Sequence, residues 1–147
     1  MAEAANKGIV FLPVKPEYAA KIMSGEKNIE FRKTVWKESV GYIVVYASSP
    51  VKKVLGFAKV DSLVNDSPGN LWKNYNATGG INKKKFMEYF HGRKNAYGIL
   101  LGDVIQLKEP YAPKEIGIEG VIPQNFKYLN EEVFRKVEKI SAVDEAE

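Results

Sequence analysis

The sequence predicts a single α+β domain whose short strands curve into a small β-barrel with short helices at its edges. Three observations point there. Short β-rich runs with period-two alternation recur along the chain. Between them lie segments of helical spacing, bounded by capping and stop residues. No repeat, low-complexity tract or linker divides the 147 residues, a length that suits one domain with one proper core.

The elements follow in order. Ile9–Val14 reads as the first strand. Lys15-Pro16 opens a short helix, with Pro16 in the first turn, where its missing N–H costs nothing. Tyr18, Ala19, Ile22 and Met23 fall at helical spacing, and Gly25 supplies the left-handed stop. Beyond it Ile29 and Phe31 alternate with Glu30 and Arg32, the pattern of a half-buried strand. Glu30 and Arg32 then project from one face, roughly 6.5–7 Å apart by strand rise. Tyr42–Ala47 is a β-rich run, and Val54–Val60 is a strand with a bend or bulge at its glycine. Ser67-Pro68 forms an N-cap and first-turn pair for a helix through Leu71 and Trp72. Asn82 caps another through Phe86, Met87 and Phe90, ended by Gly92. Ala96–Leu107 supplies one long strand, or a hairpin bent near Gly102-Asp103. Glu109–Ile122, rich in proline and glycine, reads as surface loop with short extended pieces. Val133, Phe134, Val137 and Ile140 set a terminal helix over Glu131–Ile140.

Composition removes several chemistries. The 45% hydrophobic and 27% charged fractions are those of an ordinary soluble globule. With no cysteine, disulfides, thiolate nucleophiles and cysteine-based zinc sites are all excluded. His91 is the only histidine, which excludes a three-histidine metal centre. No metal and no cofactor is expected. The start of the chain lacks the apolar core of a signal peptide, and no run is long enough to span a membrane. A cytoplasmic protein with no membrane partner is the expectation.

The net charge of +4 is mild, but its distribution is not even. Residues 15–37 hold Lys15, Lys21, Lys27, Arg32, Lys33 and Lys37 against Glu17, Glu26 and Glu30. Residues 83–94 hold Lys83, Lys84, Lys85, Arg93 and Lys94 against Glu88 alone. The tail, Asp144-Glu145-Ala146-Glu147, is acidic.

The run Gly25-Glu26-Lys27-Asn28-Ile29-Glu30-Phe31-Arg32-Lys33 combines a glycine turn with a carboxylate ringed by fixed cations. It resembles the G-x-K-x-x-E-x-R signature of the ASCH domain, a branch of the PUA-like β-barrels, and is most similar to its small single-domain prokaryotic and phage members. Lys15-Pro16-Glu17-Tyr18 resembles the family's lead-in to its first helix, and Val45-Tyr46-Ala47-Ser48-Ser49-Pro50 the strand and turn after the signature. Ala96-Tyr97-Gly98-Ile99 resembles a later barrel strand, and Ile122-Pro123-Gln124-Asn125-Phe126 the near-terminal Pro-Gln-x-Phe turn. The resemblance implies a PUA-like domain over residues 8–130; residues 131–147, outside it, read as a C-terminal helix and acidic tail.

Each candidate residue has a plainer role to set beside the functional one. Lys27, Glu30, Arg32 and Lys33 form the leading set; the plain alternative is a strand-edge ion pair contributing under about 1 kcal/mol. As a ligand site, Arg32 offers a planar fork to phosphate or a base edge, and Lys27 a point charge. Glu30 either orients the two cations or accepts hydrogen bonds from a base. Lys15 belongs to the same cationic segment. Tyr46, Ser48 and Ser49 lie at a strand end, where the hydroxyls satisfy the turn or meet a phosphate or sugar, and Tyr46 stacks on a base. Gln124 reaches the cleft, whereas Phe126 closes the core. The Lys83–Lys85 block precedes a helix whose Phe86, Met87 and Phe90 read as a core face, so few of its lysines reach phosphate. Trp36, Trp72 and Tyr75 read as core or rim. Gly79-Gly80 breaks a loop and lacks phosphate-loop spacing.

The resemblance implies a module that binds RNA, single-stranded nucleic acid or a modified nucleotide in a basic cleft beside the first helix. It also admits an enzyme in that cleft, since some ASCH-like proteins are acetylcytidine amidohydrolases and others are described as ribonucleases. In the amidohydrolase pattern Lys27 and Arg32 match, but Glu30 stands where a threonine belongs. A carboxylate is not a hydroxyl nucleophile. Lys27 and Glu30 would then be catalytic, with Glu30 as general base and Lys27 holding the oxyanion. Glu88 is a candidate for the distant glutamate. Family members fused to a helix-turn-helix imply a third role, regulation through a protein partner in trans.

Overall fold

A computed structural model describes residues 8–146. The chain forms β1 (Gly8–Val14), α1 (Pro16–Ser24), β2 (Ile29–Arg32), β3 (Val40–Ala47), β4 (Lys53–Asp66), α2 (Pro68–Tyr75), α3 (Lys83–Tyr89), β5 (Ala96–Tyr111), a 3-10 turn (Pro113–Ile116), β6 (Lys127–Leu129) and α4 (Glu131–Ala146). The predicted caps recur in atomic detail. Gly25 closes α1 at φ 85°, Ser67 Oγ accepts from the Asn70 amide, and Asn82 Oδ1 accepts from that of Lys85.

One six-stranded sheet carries the fold, in the order β2-β5-β4-β3-β1-β6. β1 and β3 run parallel, and every other pairing is antiparallel. The crossover between β1 and β3 contains α1 and β2, as a parallel pair requires. The α+β class holds, but the structure shows an open sheet where a barrel was expected. No pairing joins β2 to β6, so the sheet is not closed by hydrogen bonds among the described strands. Ala96–Tyr111 is one long strand rather than a hairpin, paired with β4 through three register shifts. Those shifts let two long strands bend without ending. β4 runs on to Asp66, well beyond the predicted Val60.

Each sheet face buries its own cluster, because successive strand side chains point opposite ways. On one face Val10, Leu12, Ile43, Val45 and Ala47 pack with Ala19 and Ile22 of α1 and with Trp36. On the other, Phe11, Val44 and Tyr46 pack with Phe57 and with Val133, Phe134 and Val137 of α4. A third cluster joins Ile29 and Phe31 of β2 to Leu71, Phe86 and Phe90 of α2 and α3. This third cluster is what fixes the floor of the site, since α3 is held directly over β2. No described helix is long and apolar enough to cross a membrane.

Candidate functional site

The turn after α1 places two charged side chains where a core would ordinarily exclude them. Lys27 is 2% exposed and Glu30 7%. Charges so placed must be paired and hydrogen-bonded, and both are. Lys27 Nζ lies 3.3 Å from Glu30 Oε1 and also donates to the Gly79 carbonyl. Its ammonium lies 5.4 Å from the centroid of the Tyr18 ring and 5.2 Å from that of Phe31. Rings at this range favour a cation. Arg32 Nε and Nη2 donate to Glu30 Oε2 at 2.9 and 2.7 Å. Arg32 Nη2 further donates to Pro13 O at 2.7 Å, and Nη1 reaches Asn125 O at 3.4 Å.

The electrostatics follow from this wiring. Burial alone would raise the Glu30 carboxyl, but Arg32 and then Lys27 outweigh it and hold it below the usual carboxylate range. Burial holds the Lys27 ammonium below the ordinary lysine value, against the opposing influence of Glu30. Burial, then the charges of Glu17 and Glu30, raise the Tyr18 phenol, which stays a protonated donor. The trio carries two cations on one anion.

Above this floor opens a cleft of about 1020 Å³, walled by α1, α3 and the Ile122–Asn125 turn. It gathers Lys15, Lys27, Glu30, Arg32, Lys33, Ser48 and Gln124 from among the residues singled out in the sequence. Tyr46 and Ser49 are not among its lining. Tyr46 is 4% exposed and packs 5.1 Å from the Phe11 ring, on the α4 side of the sheet. Strand alternation explains this: Val45 and Ala47 face α1, so Tyr46 between them cannot. Ser49 is exposed in the turn beyond β3, outside the cleft. Of the second basic block, Lys85 lines the cleft, while Lys83 and Lys84 do not.

Sequence reasoning missed three contributors. Tyr18 showed only as a helix-face residue, yet it lines the cleft. Tyr89, whose ring centroid lies 4.7 Å from Lys33 Nζ, also lines it; its place in the aromatic run just after the Lys83–Lys85 block was the available signal. The Gly79-Gly80 pair read as a loop breaker, and it caps Lys27. Among the described residues no group of three or more metal-ligating side chains occurs.

Comparison with known proteins bears on this arrangement. A family model described as Domain of unknown function (DUF365) matches residues 6–131. An ASCH domain-containing ribonuclease of Zymomonas mobilis is 28% identical over 149 residues, spanning 97% of this chain and 98% of the relative. The crystal structure of ASCH from Zymomonas mobilis superposes with a TM-score of 0.82 at 29% identity, covering 90% of this chain and 94% of that one. The N-terminal domain of Staphylothermus marinus McrB shares the fold at a TM-score of 0.55 and 11% identity, over 89% of this chain and 93% of that domain. The family model spans most of the chain and the ASCH likeness runs nearly its whole length, so this protein belongs to the Domain of unknown function (DUF365) family and, with it, to the ASCH family that its motifs resemble.

Proposed function

We propose that the protein binds single-stranded RNA, or a nucleotide extruded from it, in the cleft above the Lys27–Glu30–Arg32 trio. The observation that carries this reading is the pairing of a fixed cationic floor with polar and aromatic walls. Lys15, Lys27, Arg32, Lys33 and Lys85 face Glu17, Glu30 and Glu88, an excess of two positive charges along the lining. Lys27 has one ammonium proton beyond those given to Glu30 and Gly79, and Arg32 Nη1 has one beyond its reach to Asn125. Two donors beside a net positive floor suit an acceptor oxygen of phosphate or of a base carbonyl. Tyr89 and Gln124 at the walls supply a stacking face and an amide for an unpaired base.

Fluorescence anisotropy with labelled single-stranded RNA, the matching DNA and a duplex tests the reading. Salt-sensitive binding of the single strand, weaker for the duplex, is expected. No binding of any of them, nor of individual nucleotides, would overturn it.

Cleavage of RNA is a second reading, favoured by the Zymomonas mobilis relative, an ASCH domain-containing ribonuclease. Lys27 and Arg32 would stabilise charge developing on the phosphate. Glu30 is a poor candidate for the base, because both its oxygens are engaged and its carboxyl is held low. The same argument weighs against an amidohydrolase with Glu30 activating water. Release of labelled fragments by wild-type protein, lost in Lys27→Ala, would favour cleavage over binding alone.

A further inference from the structure

The loop between α2 and α3 faces the α1–β2 segment with three successive carbonyls, and all three are taken. Thr78 O accepts from the Asn28 amide at 3.1 Å, Gly79 O from Lys27 Nζ, and Gly80 O from Lys21 Nζ at 3.1 Å. Successive carbonyls of an extended strand point to opposite sides. Here a positive φ of 64° at Gly80 re-aims the chain.

Neither glycine has room for a side chain. A Cβ at Gly80 would stand 2.8 Å from Lys27 Cβ, and one at Gly79 would stand 2.7 Å from the Phe31 ring. The loop therefore lies flat against the aliphatic stem of Lys27 and against one of the two rings flanking its ammonium. It also carries no charge of its own. What it supplies is a carbonyl dipole that accepts from the ammonium while Glu30 pairs with it.

We infer that Gly79 and Gly80 form a clamp that positions the Lys27 ammonium against Glu30 and Arg32, with Lys21 pinning the clamp from outside, so that this loop, remote in sequence, sets the ligand-facing proton of the cleft floor. The inference rests on the binding reading above for its consequence, but not for the clamp itself. Gly79 and Gly80 touch no ligand in this scheme; they are positioning residues acting through Lys27.

The test pairs two readouts on Gly80→Ala and on Lys21→Met. The first is the rate at which acetic anhydride labels Lys27 relative to exposed Lys85, read by peptide mass spectrometry. The second is anisotropy with single-stranded RNA. In the wild type Lys27 should label much more slowly than Lys85. Gly80→Ala should raise the relative labelling of Lys27 about tenfold and weaken RNA binding by a similar factor, the scale of one charge-assisted hydrogen bond. Lys21→Met keeps the glycines and removes only the outer pin, so it keeps the test open if Gly80→Ala does not fold; a smaller rise of about threefold is expected, because an ammonium partly open to water is worth less. Labelling of Lys27 unchanged in a folded Gly80→Ala protein, or in Lys21→Met where the first does not fold, overturns the clamp. Faster labelling with no RNA binding by the wild type supports the clamp and overturns the binding reading instead.

Discussion

Arg32 Nη2 donates to the Pro13 carbonyl at 2.7 Å, so a side chain on β2 joins two strands that the sheet order sets far apart. The Val14 carbonyl accepts from Ser48 and so points toward β3. By alternation the Pro13 carbonyl points to the other edge of β1. β6 does not reach that far, since it begins at Lys127, opposite Phe11. Arg32 fills the acceptor that β6 leaves open, while holding Glu30 with the rest of its fork. A residue expected to serve a ligand is thus also a structural tie.

Arg32→Ala should consequently lower stability as well as binding. It leaves Glu30 buried with Lys27 alone and Pro13 O without its donor. Breaking a buried pair of this kind costs about 3–5 kcal/mol. Guanidinium-chloride unfolding checks it: a variant within experimental error of wild type would show that water replaces the guanidinium at no cost.

Glu30 makes acid stability a second test. Its carboxyl is held below its ordinary value in the fold. The stabilisation is therefore fully present above the unfolded carboxylate value, about 4.3, and is lost as pH falls through the lower folded value. Unfolding free energy measured from neutral pH downward should fall in that acid window, and Glu30→Gln should remove part of the slope. Equal slopes for the two proteins would contradict the assignment.

Lys27 titrates in the opposite range. With its folded value depressed by burial, its ammonium should deprotonate at lower pH than an ordinary lysine side chain in an alkaline titration followed by lysine Cε NMR. Because Glu30 favours the charged form, Glu30→Gln should move that titration lower still. A shift upward would mean that Glu30 does not support the ammonium.

The salt dependence of RNA binding should separate lysines that the sequence alone groups together. Lys33 and Lys85 line the cleft, and Lys83 does not. Lys33→Ala with Lys85→Ala should weaken binding across sequences and reduce the salt slope by up to about two phosphate contacts. Lys83→Ala should leave the slope unchanged. Lys85 lies 3.8 Å from Glu17, so some of its charge is already spent in a surface pair of low worth. A slope lowered equally by Lys83→Ala would place the strand over a different face.

What the sequence determined by itself was local. Pro16, Gly25, Ser67 and Asn82 set helix ends through their own backbone and side-chain chemistry, so those boundaries were legible without the fold. Period-two alternation likewise put Glu30 and Arg32 on one face, where they meet. The tertiary structure decided everything that depended on which face meets which element. Strand alternation says only that neighbours differ; the packing of Val45 and Ala47 against α1 is what sent Tyr46 to the α4 side. One long β5 replaced a possible hairpin because its bends are absorbed by pairing with β4, which a single segment cannot reveal. The burial of Lys27 under Gly79 and Gly80 joins residues 52 apart in the chain. A flexible pair of glycines reads as a loop in any sequence. Only the packed stem of the lysine shows that the missing side chains are what let the loop close over it.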